Sequence, residues 1–151
     1  MWDTFLNREL LDFFKILKLN LETAFQPIAE SEGLTVMQVR ILIEIQNSDI
    51  ATVGSLSRLM GENHGNCSSL CKKMEQAGFV NRIRSKSDER IVTLRLTPKG
   101  TSAVEAVNRQ MDERFRPVLE ATSPEQLEQM RLGMQAISDL LNRFAAMPKE
   151  G

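Results

Sequence analysis

The stretch NHGNCSSLCKKMEQAGF, Asn63 to Phe79, decides how this 151-residue chain is read. Its apolar positions Cys67, Leu70, Cys71 and Met74 recur at spacings of three and four, one stripe of a helix that must rest on something. Steps of about 100° per residue put Gly65, Ser69, Lys72 and Gln76 opposite that stripe, with Asn66, Ser68 and Lys73 on its flanks. The outward face is therefore small, polar and basic. Asn63 suits an N-cap, because its side chain can accept from free amides of the first turn, and Gly78 suits the left-handed residue that ends a helix. Small side chains let the backbone approach another surface closely, and lysines further along reach phosphates. A helix lying in a DNA major groove needs both.

The flanking sequence fits this reading. Upstream, TVGSLSRLMGENHG predicts a short helix starting at Thr52, with Leu56 and Leu59 inward and a turn through Gly61. Two helices joined by a Gly-containing turn, the second polar-faced, make a helix-turn-helix. Downstream, Val80 to Arg84 and Ile91 to Leu96 are strand-like runs joined by the polar loop Ser85-Lys86-Ser87-Asp88-Glu89-Arg90, which predicts a β-hairpin. With Arg84 at its base and Lys86 and Arg90 at its tip, such a hairpin is placed to touch DNA backbone or minor groove. The hairpin makes the motif winged.

Charge is distributed accordingly. The chain as a whole carries a formal charge of −1. From Lys72 to Gly100, however, eight Lys or Arg stand against three acids, a balance of +5, which leaves eleven against seventeen elsewhere, or −6. One basic lobe sits on an acidic body, and distribution matters more than the total.

The remaining segments read as helices. Trp2 to about Ala29 places Phe5, Leu6, Leu10, Phe13, Phe14, Leu17, Leu21 and Phe25 near helical spacing, an apolar face wide enough to meet a second copy of the chain. Thr35 and Gln38 stand at capping-box spacing before a second helix running to about Gln46, in which Val36, Val39, Leu42, Ile43 and Ile45 form the central post. Asn47 to Ala51 reads as a link. Thr97 and Pro98 start a helix that continues to about Ala121, and Ser123, Pro124 and Gln126 start the last. In that last helix Leu127, Met130, Met134, Ile137, Leu141 and Phe144 form the stripe of a helix packed lengthwise on others. The expected fold class is mainly α with a small β-hairpin wing. It is one domain, 1–151, with a winged helix-turn-helix lobe at 34–100 and a helical dimerisation region at 1–32 and 101–147. A two-fold dimer would present two reading helices to two half-sites.

This order of elements resembles the multiple antibiotic resistance regulator (MarR) family of winged-helix transcription factors. Four pieces carry the resemblance: Leu34-Thr35-Val36-Met37-Gln38, Met74-Glu75-Gln76-Ala77-Gly78-Phe79-Val80, Asp88-Glu89-Arg90, and Leu96-Thr97-Pro98-Lys99-Gly100. Together they are specific, though singly each is weak. They cover Leu34 to Gly100, and the flanking helices match in length and pattern. The resemblance implies an obligate homodimer on a pseudo-palindromic double-stranded DNA operator, usually a repressor relieved by a small molecule or an oxidant. It also implies that Arg90 is the minor-groove arginine and that Asp88 holds the wing in shape. The chain departs from the family at His64-Gly65-Asn66-Cys67, where Ser, Thr and Arg are more usual. Gly65 there costs about 1 kcal/mol of helix propensity relative to Ala.

The DNA-contacting set expected from residues and resemblance together is Gly65, Asn66, Ser68, Ser69, Lys72, Lys73, Arg84, Lys86 and Arg90. A sharper chemistry competes for the same helix: His64, Cys67 and Cys71 share spacing that could converge on a thiophilic metal, or the two thiols could sense oxidants. Both cysteines fall on the apolar stripe, however, and a free Cys is among the residues most often buried. Buried structural cysteines are therefore expected, and no cofactor. His64, at the helix start, could also meet a phosphate or base edge. The eight methionines point to pliable packing and an adaptable effector cleft, whose residues the sequence does not name.

Catalysis is not expected. The chain has no Gly-rich phosphate loop, a single His, and no carboxylate pair in a recognisable motif. A winged-helix lobe that binds protein instead of DNA is the rival reading. No apolar run approaches the roughly 20 residues needed to span a bilayer, and MWDTFLNREL lacks a basic segment followed by an apolar core. A cytoplasmic protein with no membrane partner is expected.

Overall fold

Helix starts legible in the sequence carry their hydrogen bonds in the computed structural model, which describes residues 4–148. A π-helical segment, Phe5–Leu10, leads into α1 (Leu11–Ser31). The predicted start at Trp2 and the Leu6 side chain lie outside the described residues. At α2 (Val36–Asn47), Thr35 and Gln38 form a reciprocal capping box, each side chain accepting from the other residue's backbone amide. Thr52 and Ser55 do the same for α3 (Val53–Met60), and Ser123 and Gln126 for α6 (Pro124–Ala145). Asn63 Oδ1 accepts from Asn66 N at 2.8 Å to start α4 (His64–Gln76). Each such cap contributes about 1 kcal/mol by satisfying amides that the helix itself cannot.

Between α4 and α5 (Pro98–Glu120) lie β2 (Val80–Arg84) and β3 (Val92–Leu96), antiparallel with Val80 opposite Leu96 and Arg84 opposite Val92. The sheet has a third strand: β1, Ala51–Thr52, pairs antiparallel with β3 at Leu94 and Thr93, giving the order β1-β3-β2. The expected link up to Ala51 is thus partly strand. Two residues are too few to show a period of two, so only the partner strand reveals them.

The chain forms two compact units divided between Met111 and Asp112, a point inside α5. In the first, α2 packs against α1 and β3, while α3 packs against α4, β1 and β3. Ile41, Leu42, Leu56, Met74, Leu94, Val104 and Val107 form its buried centre. Burying each of these large side chains stabilises the fold by about 1.5–3 kcal/mol. Two expectations fail here. Leu59 is 53 % exposed, because the inward face of α3 is Val53, Leu56 and Ser57. Val36 is exposed also, whereas Ile41, absent from the expected post, is buried.

The second unit contains α6, in which no residue is buried. Its stripe lies open in the single chain: Leu127, Met130, Met134 and Phe144 are all exposed, as are Leu11, Phe13, Ile16, Leu17 and Leu21 on α1. No helix among the described residues is long and apolar enough to cross a membrane.

Candidate nucleic-acid interface

Helix α4 rests on the stripe that the sequence marks. Cys67, Cys71 and Met74 are buried and Leu70 half-buried, while Gly65, Asn66, Ser69, Lys72, Lys73 and Gln76 are exposed and Ser68 is half-exposed. The helix ends at Gly78, whose φ of +83° lies in the left-handed region. There Phe79 N donates to Met74 O and Gly78 N to Glu75 O, the paired bonds that close a helix on glycine.

Contacts from the start of α5 hold this terminus. Thr97 Oγ1 donates to Gly78 O at 2.6 Å and accepts from Gly100 N at 3.0 Å. Lys99 Nζ donates to Ala77 O at 2.7 Å and stands 4.4 Å over the Phe79 ring, which suits a cation at a helix C-terminus. Gly100 is buried so closely against Phe79 that a Cβ there would lie 2.1 Å from its carbonyl oxygen.

The wing tip is shaped by its own side chains. Arg90 N donates to Asp88 Oδ1 at 3.0 Å and Ile91 N to Asp88 O at 3.0 Å. Asp88 thus closes the turn, while Ser85 N donates to Ile91 O at its base. Arg84, Lys86 and Arg90 are exposed. Among the described residues none of these three, nor Lys72 or Lys73, takes part in an ion pair.

Not every cation of the basic segment is available. Arg82 is held by Glu75, with Nη1 3.6 Å from Oε2, and Lys99 is held at the helix end, so both serve the fold. The summed charge hides this. The clue in sequence is that Glu75 is the single acid of α4, placed seven residues before Arg82.

The two cysteines lie in the core under α4. Both are buried, with free thiols. Burial pushes the Cys67 thiol up, and it pushes Cys71 up to about 12, with Cys67 beside it adding to the rise. His64 is exposed on the first turn, apart from the two buried thiols. Among the described residues no three His, Cys, Asp or Glu side chains are grouped to hold a metal. A thiol that ionises later folded than unfolded leaves stability unaffected below about pH 9 and lowers it as pH rises from there towards 12. In native protein at pH 8, a disulfide reagent is expected to modify both thiols only as fast as the fold opens. Two fast-reacting thiols would restore the thiol-responsive reading.

The comparisons with known proteins give the family and the fold. The model for the family Transcriptional regulator SarA/Rot matches residues 23–107. The HTH-type transcriptional regulator SarZ of Staphylococcus haemolyticus is 24 % identical over 140 residues, 93 % of this chain and 87 % of that protein. Among solved structures, the MarR family transcription regulator SP03579 superposes with a TM-score of 0.81 at 20 % identity, covering 98 % of this chain and 100 % of that one. A complex of S. aureus MepR with DNA gives 0.75 at 20 % identity, covering 84 % and 94 %. With the family model matched over more than half its length, the chain belongs to the SarA/Rot family of transcriptional regulators, built on the MarR-type winged helix-turn-helix.

Proposed function

We propose that the protein is a dimeric repressor that binds a pseudo-palindromic DNA operator and is released by a small-molecule effector. The observation that carries this is the exposed polar and basic face of α4 on the same unit as an exposed cationic wing. Gly65, Asn66, Ser68 and Ser69 meet base edges and the groove wall, Lys72, Lys73, Arg84 and Lys86 meet phosphates, and Arg90 enters the minor groove. The fold shared with the MepR–DNA complex supports the same partner. Residues 34–100 act as the DNA-binding lobe, and 1–32 and 101–147 as the dimerisation region. The exposed apolar residues of α1 and α6 support a partner chain there. A cytoplasmic location accompanies this role.

A cleft of about 240 Å³ between α1, α2 and α5 supports the effector step. Phe25, Ile28, Val39, Ile43 and Val107 line it with Arg40 at its edge, a composition that suits a small apolar molecule bearing an anionic group.

The test is a titration of a duplex selected from a random-sequence library by the protein itself, repeated across salt. Two lobes, each offering DNA the five cations Lys72, Lys73, Arg84, Lys86 and Arg90, predict a loss of about 10³-fold or more between roughly 50 and 200 mM salt. Selection of no duplex, or an affinity indifferent to salt, would favour a winged helix that binds protein instead.

A further inference from the structure

β2 is an edge strand, and its outward backbone groups need partners. Phe79 O accepts from Thr97 N and Ser85 N donates to Ile91 O, at either end of β3, so the amide of Arg82, which falls on the other phase of the alternation, points away from the sheet. Glu75 of α4 meets it there. Its Oε1 accepts from Arg82 N at 3.1 Å, while its Oε2 faces the same residue's guanidinium at 3.6 Å. The Arg82 side chain is only 12 % exposed, and its Nε is buried without a hydrogen-bond partner among the described residues. One carboxylate therefore satisfies an outward amide of the edge strand and balances a largely buried charge.

We propose that Glu75 is a positioning residue for DNA binding, fixing the wing against the reading helix so that one duplex meets both. This rests on the DNA-binding reading. Neither Glu75 nor Arg82 need touch DNA, because their effect passes through the angle between α4 and β2. A loose wing would leave the helix contacts in place and lose those made by Arg84, Lys86 and Arg90.

The experiment compares wild type, Glu75→Ala and Glu75→Gln on the library-selected duplex by affinity and hydroxyl-radical footprint. Hydrogen exchange of the Arg82 amide is followed without DNA. Glu75→Ala is expected to bind about tenfold more weakly, to lose protection at the wing-contacted backbone, and to keep that of the reading helix. Its Arg82 amide should exchange faster. Glu75→Gln retains a carbonyl acceptor for that amide and should recover most of the affinity and the slow exchange. Wild-type affinity and a full footprint in Glu75→Ala would overturn the proposal, as would an unchanged Arg82 exchange rate. If Glu75→Ala does not fold, Arg82→Met, which keeps the amide bond and drops the ion pair, takes its place. It is expected to show partial loss of the wing footprint, and a wild-type footprint would again overturn the proposal. Should the wild type select no duplex, the DNA-binding reading falls and the proposal with it, whereas the exchange data still report on the Glu75 contact itself.

Discussion

Gly100→Ala is expected to destabilise the protein by about 3 kcal/mol or more, lowering its melting temperature by about 10 °C. The added Cβ would lie 2.1 Å from Phe79 O and 3.1 Å from Phe79 C, and both are backbone atoms that no rotamer change can move. Phe79 cannot yield easily. Its carbonyl accepts from Thr97 N at 3.1 Å, its amide closes α4, and its ring is buried under Lys99. Relief requires parting the start of α5 from the end of the reading helix, so DNA affinity should fall together with stability. Gly133 in α6 is the internal control. Nothing lies within 4 Å of a Cβ there, so Gly133→Ala should be neutral or stabilise by up to about 1 kcal/mol. Thermal melts of the two variants decide the matter, and a Gly100→Ala protein that melts with the wild type would refute the packing described here.

The second large effect is on affinity. Arg90→Ala is expected to lower affinity for the selected duplex by about 1–3 kcal/mol per contacting lobe, and with it any preference at the minor-groove positions the wing reaches. Lys72→Ala should weaken all sequences about equally and reduce the salt slope by about one per lobe. Neither residue is buried or paired, so neither substitution should change the melting temperature or the association of subunits. Isothermal titration at two salt concentrations separates the two roles. Equal affinity of both variants and the wild type would count against placing α4 and the wing on DNA.

Much of the reading lobe was legible before any coordinates, because its boundaries depend on local chemistry. Asn63 and Thr35 cap helices through their own side chains and Gly78 closes one through its own φ, while Asp88, which folds the wing tip two residues away, is named by the family resemblance. What was not legible depends on residues distant in sequence. β1 exists only because Leu94 and Thr93 receive it. Leu59 and Leu56 both satisfy helical spacing in so short a segment, and only the neighbours of α3 choose Leu56. The count of eight cations treated Arg82 and Lys99 as free, whereas Glu75 and Ala77 O hold them. The apolar stripe of α6 is legible as a stripe, and it lies exposed in the single chain, since periodicity reveals a face but not what rests upon it.

That uncovered face leads to the most direct measurement, the mass and footprint of the selected duplex in complex with the wild-type protein. Two chains on one duplex are expected, with two protected major-groove patches about one helical turn or a whole multiple apart and minor-groove protection from the wings beside them. A single chain per duplex, or protection that never includes the minor groove, would contradict a two-fold pair presenting helix and wing together.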